Sequence, residues 1–166
     1  KLTSDSNYSL EVMSWIDHML MSGHSVIKTY WNPDRKDVEF QAIDPVYMIV
    51  PPWTKGLETA DRICQVIPMS LEAYKRAGIY NDSKSVLDDI TGSRIDDSGI
   101  TSDLRNKKEL REGLTYSNDM DQVIVWEVYT RQEDGSWEME CFSPQAPDIQ
   151  LRDKMKVPFD HGKPPY

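Results

Sequence analysis

The chain has 166 residues, 39% of them apolar and 28% charged, and its 28 acidic residues against 19 Lys and Arg give a net charge of −9. That length sustains one domain with its own core, hiding roughly 70% of the surface exposed by the unfolded chain. Clustered Lys and Arg are what grip phosphates, so the acidic balance argues against a DNA-binding groove, and no apolar run of about 18 residues offers a membrane-spanning helix.

The opening residues Ser4, Asp5 and Ser6 offer N-cap oxygens for a helix. From Leu10, apolar residues recur at helical spacing: Leu10, Met13, Ile16 and Leu20, joined by Val12, Trp15 and Met19. The stripe is wide, which predicts a helix packed on more than one neighbour, and Gly23 suits the residue just past its end. Ser25 to Trp31 is rich in β-preferring side chains. Asn32-Pro33-Asp34-Arg35 is turn chemistry, and Val38, Phe40 and Ala42 alternate with polar residues, which predicts a hairpin with one wet face. Asp44-Pro45 breaks that strand, and Tyr47 to Val50 reads as a third, closed by Pro51-Pro52. Helix plus three-stranded meander is the expectation for this part.

Arg62 to Ile67 predicts a fourth strand that Pro68 ends. Ser70 opens a short helix through Leu71, Tyr74 and Ala77, stopped by Gly78; Ser83 opens another through Val86, Leu87 and Ile90, stopped by Gly92. Residues 93–118 change character to Ser, Asp, Asn, Lys, Arg and Gly. They read as a polar insertion or mobile arm, with a surface helix over Ser102 to Glu112 supported by Arg105–Glu109 and Lys108–Glu112 at i,i+4. Gln122 to Arg131 carries Val123, Val125 and Glu127 on one face and Ile124, Trp126 and Val128 on the other. Being apolar on both faces, it belongs in the middle of a sheet. Asp134-Gly135 signals a hairpin turn, Trp137, Met139 and Cys141 alternate on the return strand, and the tail from Ser143, with five of the ten prolines, reads as irregular and extended. The fold class expected is α+β: a leading helix, an antiparallel sheet built of hairpins, and short helices on one face. Residues 1–92 and 119–166 are read as one domain interrupted by 93–118.

Little in the sequence points to catalysis. His18 and His24 stand six apart, which matches neither a zinc helix nor a finger, and His161 lies in the Pro-rich tail. The pairs Asp88-Asp89 and Asp96-Asp97 cannot chelate one ion unaided, because adjacent helical residues diverge by about 100°, and no calcium-loop, phosphate-loop, dinucleotide or nucleophile-elbow pattern occurs. Asn7-Tyr8-Ser9 and Asn81-Asp82-Ser83 fit the glycosylation triplet, a common pattern. Cys64 and Cys141 show no pairing motif and are expected as reduced, buried strand residues. No catalytic, cofactor or metal residue is therefore assigned. A metal-dependent hydrolase would need His18, His24 and acidic residues to converge on one ion.

Several phrases taken in order resemble the portal proteins of tailed bacteriophages. They are Trp15 to His24 running into Val26 to Pro33; Val38-Glu39-Phe40 to Ile43-Asp44-Pro45; Tyr47 to Pro52; Ala60-Asp61-Arg62 to Pro68-Met69-Ser70; Val125 to Arg131 with Asp134-Gly135-Ser136-Trp137; and Val157 to Tyr166. The likeness covers nearly the whole chain except roughly 93–118. It implies an internal, mostly wing-region piece of a longer subunit, consistent with an opening Lys1 and a closing Pro164-Pro165-Tyr166 that look cut. It further implies a non-enzymatic structural protein of the virion, in a dodecameric ring at one capsid vertex. The ring would serve genome packaging and ejection, with the terminase large subunit, a head–tail adaptor and the major capsid or scaffolding protein as partners. DNA would pass through without specific binding, and no membrane or cofactor would be involved. A different virion interaction module, such as a head–tail adaptor itself, is the alternative.

Overall fold

The computed structural model describes residues 7–32, 36–92, 122–159 and 161–166. Helix α1 runs over Tyr8–Ser22 and ends where Gly23 takes φ 78°, its N–H donating to the Met19 carbonyl. That left-handed backbone costs a residue with a Cβ about 1–2 kcal/mol, which is why glycine closes the helix. Strands β1 (Val26–Asn32) and β2 (Asp37–Ile43) follow, paired antiparallel from Val26↔Ile43 to Asn32↔Asp37. The turn predicted at Pro33-Asp34-Arg35 lies outside the described residues, as do the N-cap candidates Ser4, Asp5 and Ser6.

The meander expected next does not form. The Asp44 carboxylate accepts from the Val46 N–H and starts a single 3-10 turn over Pro45–Tyr47. Pro45 supplies a fixed φ and no donor, so the chain leaves the plane of the hairpin. Strand β3 (Met48–Ile49) consequently pairs with β4 (Arg62–Ser70) in a second sheet. That sheet has the order β3-β4-β5-β6-β7, with β5 (Gln122–Arg131), β6 (Trp137–Ser143) and β7 (Ala146–Lys156) all antiparallel. As expected, β5 lies at its centre. Among the described residues, three helices and seven strands in antiparallel sheets make an α+β fold with a leading helix.

Two strands outrun their expected limits. Pro68 does not end β4, which continues to Ser70 with Pro68 opposite Ile124. The Ile124 N–H turns away, donating to Oε1 of Gln145 on the far side. The Pro68–Ile124 pair is therefore one that exchanges no hydrogen bonds. The proline nitrogen faces the β3 side, where β3 has already stopped, and nothing is lost there. The tail from Ser143 is irregular only beyond Lys156: after a turn at Pro144-Gln145 it forms the eleven-residue β7. Of the five prolines behind that reading, Pro144 sits in the turn, Pro147 near the start of an edge strand, and Pro158, Pro164 and Pro165 beyond it.

The short helices α2 (Leu71–Ala77) and α3 (Lys84–Gly92) begin as predicted, α2 ends at Gly78 as predicted, and the Ser70 hydroxyl accepts from the Ala73 N–H. They cover one end of one sheet face, where Tyr74, Val86 and Ile90 pack with Val123, Val125, Cys141 and Leu151. A second apolar cluster occupies the other end: Ala60, Ile63, Tyr129, Trp137, Met139 and Val157, flanked by Phe159 and Tyr166. The Asp134-Gly135 turn closes β5 on β6, with Gly135 at φ 83° and the Asp134 carboxylate accepting from both the N–H and the hydroxyl of Ser136. The expected arm at 93–118, with its surface helix, lies outside the described residues. Among those described, no helix is long and apolar enough to cross a membrane.

Candidate functional site

Side chains alternate along β5, so Val123, Val125, Glu127 and Tyr129 share a face. The first two belong to one apolar cluster and Tyr129 to the other; Glu127, only 7% exposed, sits between them. Register puts Gln65 of β4 beside it on one side and Cys141 of β6 on the other. A carboxylate there is costly unless paired and hydrogen-bonded, and its partner comes from the first sheet. Lys28 on β1 donates from Nζ to Oε1 of Glu127 at 2.7 Å and to Oε1 of Gln65 at 2.9 Å.

Two tyrosines complete the group. Tyr129 donates its hydroxyl to Glu127 at 2.8 Å, and Tyr166 donates to Gln65 at 2.9 Å. The Tyr166 ring stands edge-on to Tyr129, and Lys28 Nζ lies 5.6 Å from its centre, within reach of a cation–π attraction. Burial and then the Glu127 charge push both phenols well above the ordinary tyrosine range. Both remain protonated donors at any physiological pH, so the cluster is a closed set of donors and acceptors that ties three segments together.

The hairpin face bearing Lys28 was expected to be wet. Instead Lys28, with a side chain 12% exposed, turns toward the larger sheet. The opposite hairpin face takes α1, with Tyr8 edge-on to Phe40 at 5.0 Å. Two polar side chains, one at the N-cap of α1 and one in its first turn, seal the outer edge of β2. Asn7 donates to the Phe40 carbonyl and accepts from the Phe40 N–H, and Glu11 accepts from the Ala42 N–H at 2.6 Å. Asn7 stands at the N-cap position but makes no side-chain cap bond there; its amide serves the strand instead.

The expected packing of α1 on more than one neighbour is met by the two hairpin strands, β1 and β2, yet none of its residues is buried; the Tyr8 ring meets Phe40, and Val12 and Trp15 are half-buried. Leu10, Met13, Ile16, Leu20 and Met21 lie on the outward side, Leu10 being 72% and Leu20 77% exposed. Trp31 on β1 and Trp53 after β3 are also exposed. An apolar face of this kind, broken only by Asp17 among the charges, marks an interaction surface.

The other residues singled out from the sequence are scattered. His18 is half-buried on α1, His24 exposed beyond it, and His161 exposed and stacked on Phe159. Asp88 and Asp89 are exposed on α3, and Asp96-Asp97 lies outside the described residues. Among the described residues no group of three or more His, Cys, Asp or Glu side chains converges on a metal position. Cys64 and Cys141 are free, buried strand residues as expected, and burial raises both thiols to about 12. Lys28, Gln65 and Tyr166 were not anticipated. Glu127 did carry a signal, an acid in the apolar face of a central strand. No family model matches the chain, and no curated protein matches it.

Proposed function

We propose that this chain is part of a structural ring subunit, the portal at the DNA-entry vertex of a tailed bacteriophage, contributing mostly the wing region. The ring would form the channel for genome packaging and ejection and the platform for terminase and tail. The observation that carries this reading is the outward apolar face of α1, a large surface offered to another protein by a chain whose buried charges are spent on holding its own parts together. The ordered phrases resembling portal proteins add support, since they fall on structural joints. Trp15 to Gly23 leads into the helix end, Asp44-Pro45 into the crossing between sheets, Pro68-Met69-Ser70 into the start of α2, and Val125 to Arg131 into the central strand. The acidic balance suits a surface past which DNA must slide, because each phosphate neutralised would add affinity and hence drag.

Negative-stain imaging of the intact protein that carries this sequence, purified without partners, tests the proposal. Rings with a central hole and twelvefold or near-twelvefold symmetry are expected. A homogeneous monomer or dimer at high concentration overturns it.

A further inference from the structure

The described residues up to Ile43 (7–32 and 36–43) form a unit of α1, β1 and β2 that shares no ladder with the larger sheet. Neither apolar cluster includes one of its residues, and among them only Ile43, at the exit of β2, is buried. In this chain the unit joins the sheet covalently through Asp44-Pro45. Polar contacts fasten it to the sheet and the tail: Lys28 on Glu127 and Gln65, and the Thr29 N–H donating to the Pro165 carbonyl at 2.8 Å. Residues 161–166 act as a strap, bound to β1 at Pro165 and to the sheet through the Tyr166 hydroxyl on Gln65 and its ring against Tyr129.

We infer that the α1–β1–β2 unit is a hinged module, pivoting at Asp44-Pro45 and held by a Lys28–Glu127 clasp under the Tyr166 strap, so that the clasp sets where the apolar face of α1 points. This rests on the contacts alone and stands whether or not the chain belongs to a ring. The physical reason is the difference between separating an ion pair and deleting half of it. When the module swings away, Lys28 and Glu127 both regain water, which offsets much of the lost attraction. No module residue belongs to either apolar cluster of the sheet, so opening is expected to cost less than unfolding the sheet. With Lys28 removed, the closed state buries an unpaired Glu127 carboxylate and only opening relieves it.

Native-state amide exchange in low concentrations of urea, followed peptide by peptide, reads this on the whole chain. In the unmodified protein, β1 and β2 amides are expected to exchange through an opening that leaves β5 and β6 protected. Lys28→Met is expected to speed exchange within residues 8–43 by at least about tenfold without a matching change in β5 and β6. Lys28→Met combined with Glu127→Met removes the stranded charge and is expected to recover most of the protection. Exchange of β1 and β2 only through the same global event as β5 overturns the inference without any substitution. So does an equal acceleration of all strands in Lys28→Met, an unchanged module, or a double variant no slower than the single one.

Discussion

Lys28 and Glu127 stand 99 positions apart in the chain and 2.7 Å apart in space, each almost wholly removed from solvent. The pair joins two sheets that share no strand, and it lies in a polar row separating two apolar clusters. Breaking one half is expected to be far worse than replacing both. Lys28→Met alone should lower stability by roughly 3–5 kcal/mol, whereas an apolar replacement of both residues should cost much less. Urea unfolding of the two single variants and the double variant supplies the coupling energy, and additive losses would show the pair to be uncoupled.

Asn7 and Glu11 stand one helical turn apart and reach alternate residues of β2, Phe40 and Ala42. They occupy backbone groups on the outer edge of β2, which would otherwise invite pairing with another strand. Asn7→Ala should cost roughly 1–2 kcal/mol. The sharper readout is local: the Phe40 amide should lose exchange protection while those of β5 keep theirs. Unchanged Phe40 protection would contradict the assigned bond.

Gly135 turns the β5–β6 hairpin at φ 83°, and a Cβ there would meet nothing within 4 Å. The penalty for Gly135→Ala is therefore backbone strain alone, about 1–2 kcal/mol. Gly135→Asn should lose less, since asparagine tolerates this conformation. Thermal unfolding should rank the proteins glycine, asparagine, alanine.

The Cys64 and Cys141 thiols rise from 9.0 to about 12 on burial, and Tyr74 rises from 10.0 to about 12 for the same main reason. A raised folded-state pKa means that the native protein holds its proton where the unfolded chain has released it. The stabilisation is full below about pH 9 and is lost as pH climbs from 9 toward 12. Alkaline unfolding should begin in that window, with tyrosinate absorbance from Tyr129 and Tyr166 appearing together with the loss of structure rather than before it. Neither thiol should react with a water-soluble thiol reagent at neutral pH until the chain is unfolded.

Leu20 and Met13 are exposed on the outward face of α1. Met13→Lys combined with Leu20→Lys should change stability by only about 0.5 kcal/mol per site, because both side chains are largely exposed. The proposed ring should nevertheless assemble poorly. Sedimentation of the intact protein checks this, and full assembly would remove the helix face from the interface.

Local chemistry sufficed for most of the elements. Glycine at the ends of α1 and α2, serine ahead of α2, Asp134-Gly135 between β5 and β6, and the apolar alternation of Gln122 to Arg131 each act within a few residues of themselves. Such signals decide where an element starts or stops, and they located the three helices, the strands other than β7, and the central place of β5. What partners an element depends on groups far away in the chain. Pro68 looked like a strand end because its donor is missing, and only the absence of β3 beside it made that harmless. The apolar stripe of α1 predicted burial, but its outer side is exposed among the described residues. Glu127 stood out in its strand, yet whether it was an active acid or one half of a clasp depended on Lys28 arriving from the hairpin and Tyr166 from the tail. Periodicity encodes a preference for burial or exposure, and tertiary packing decides which residue meets it.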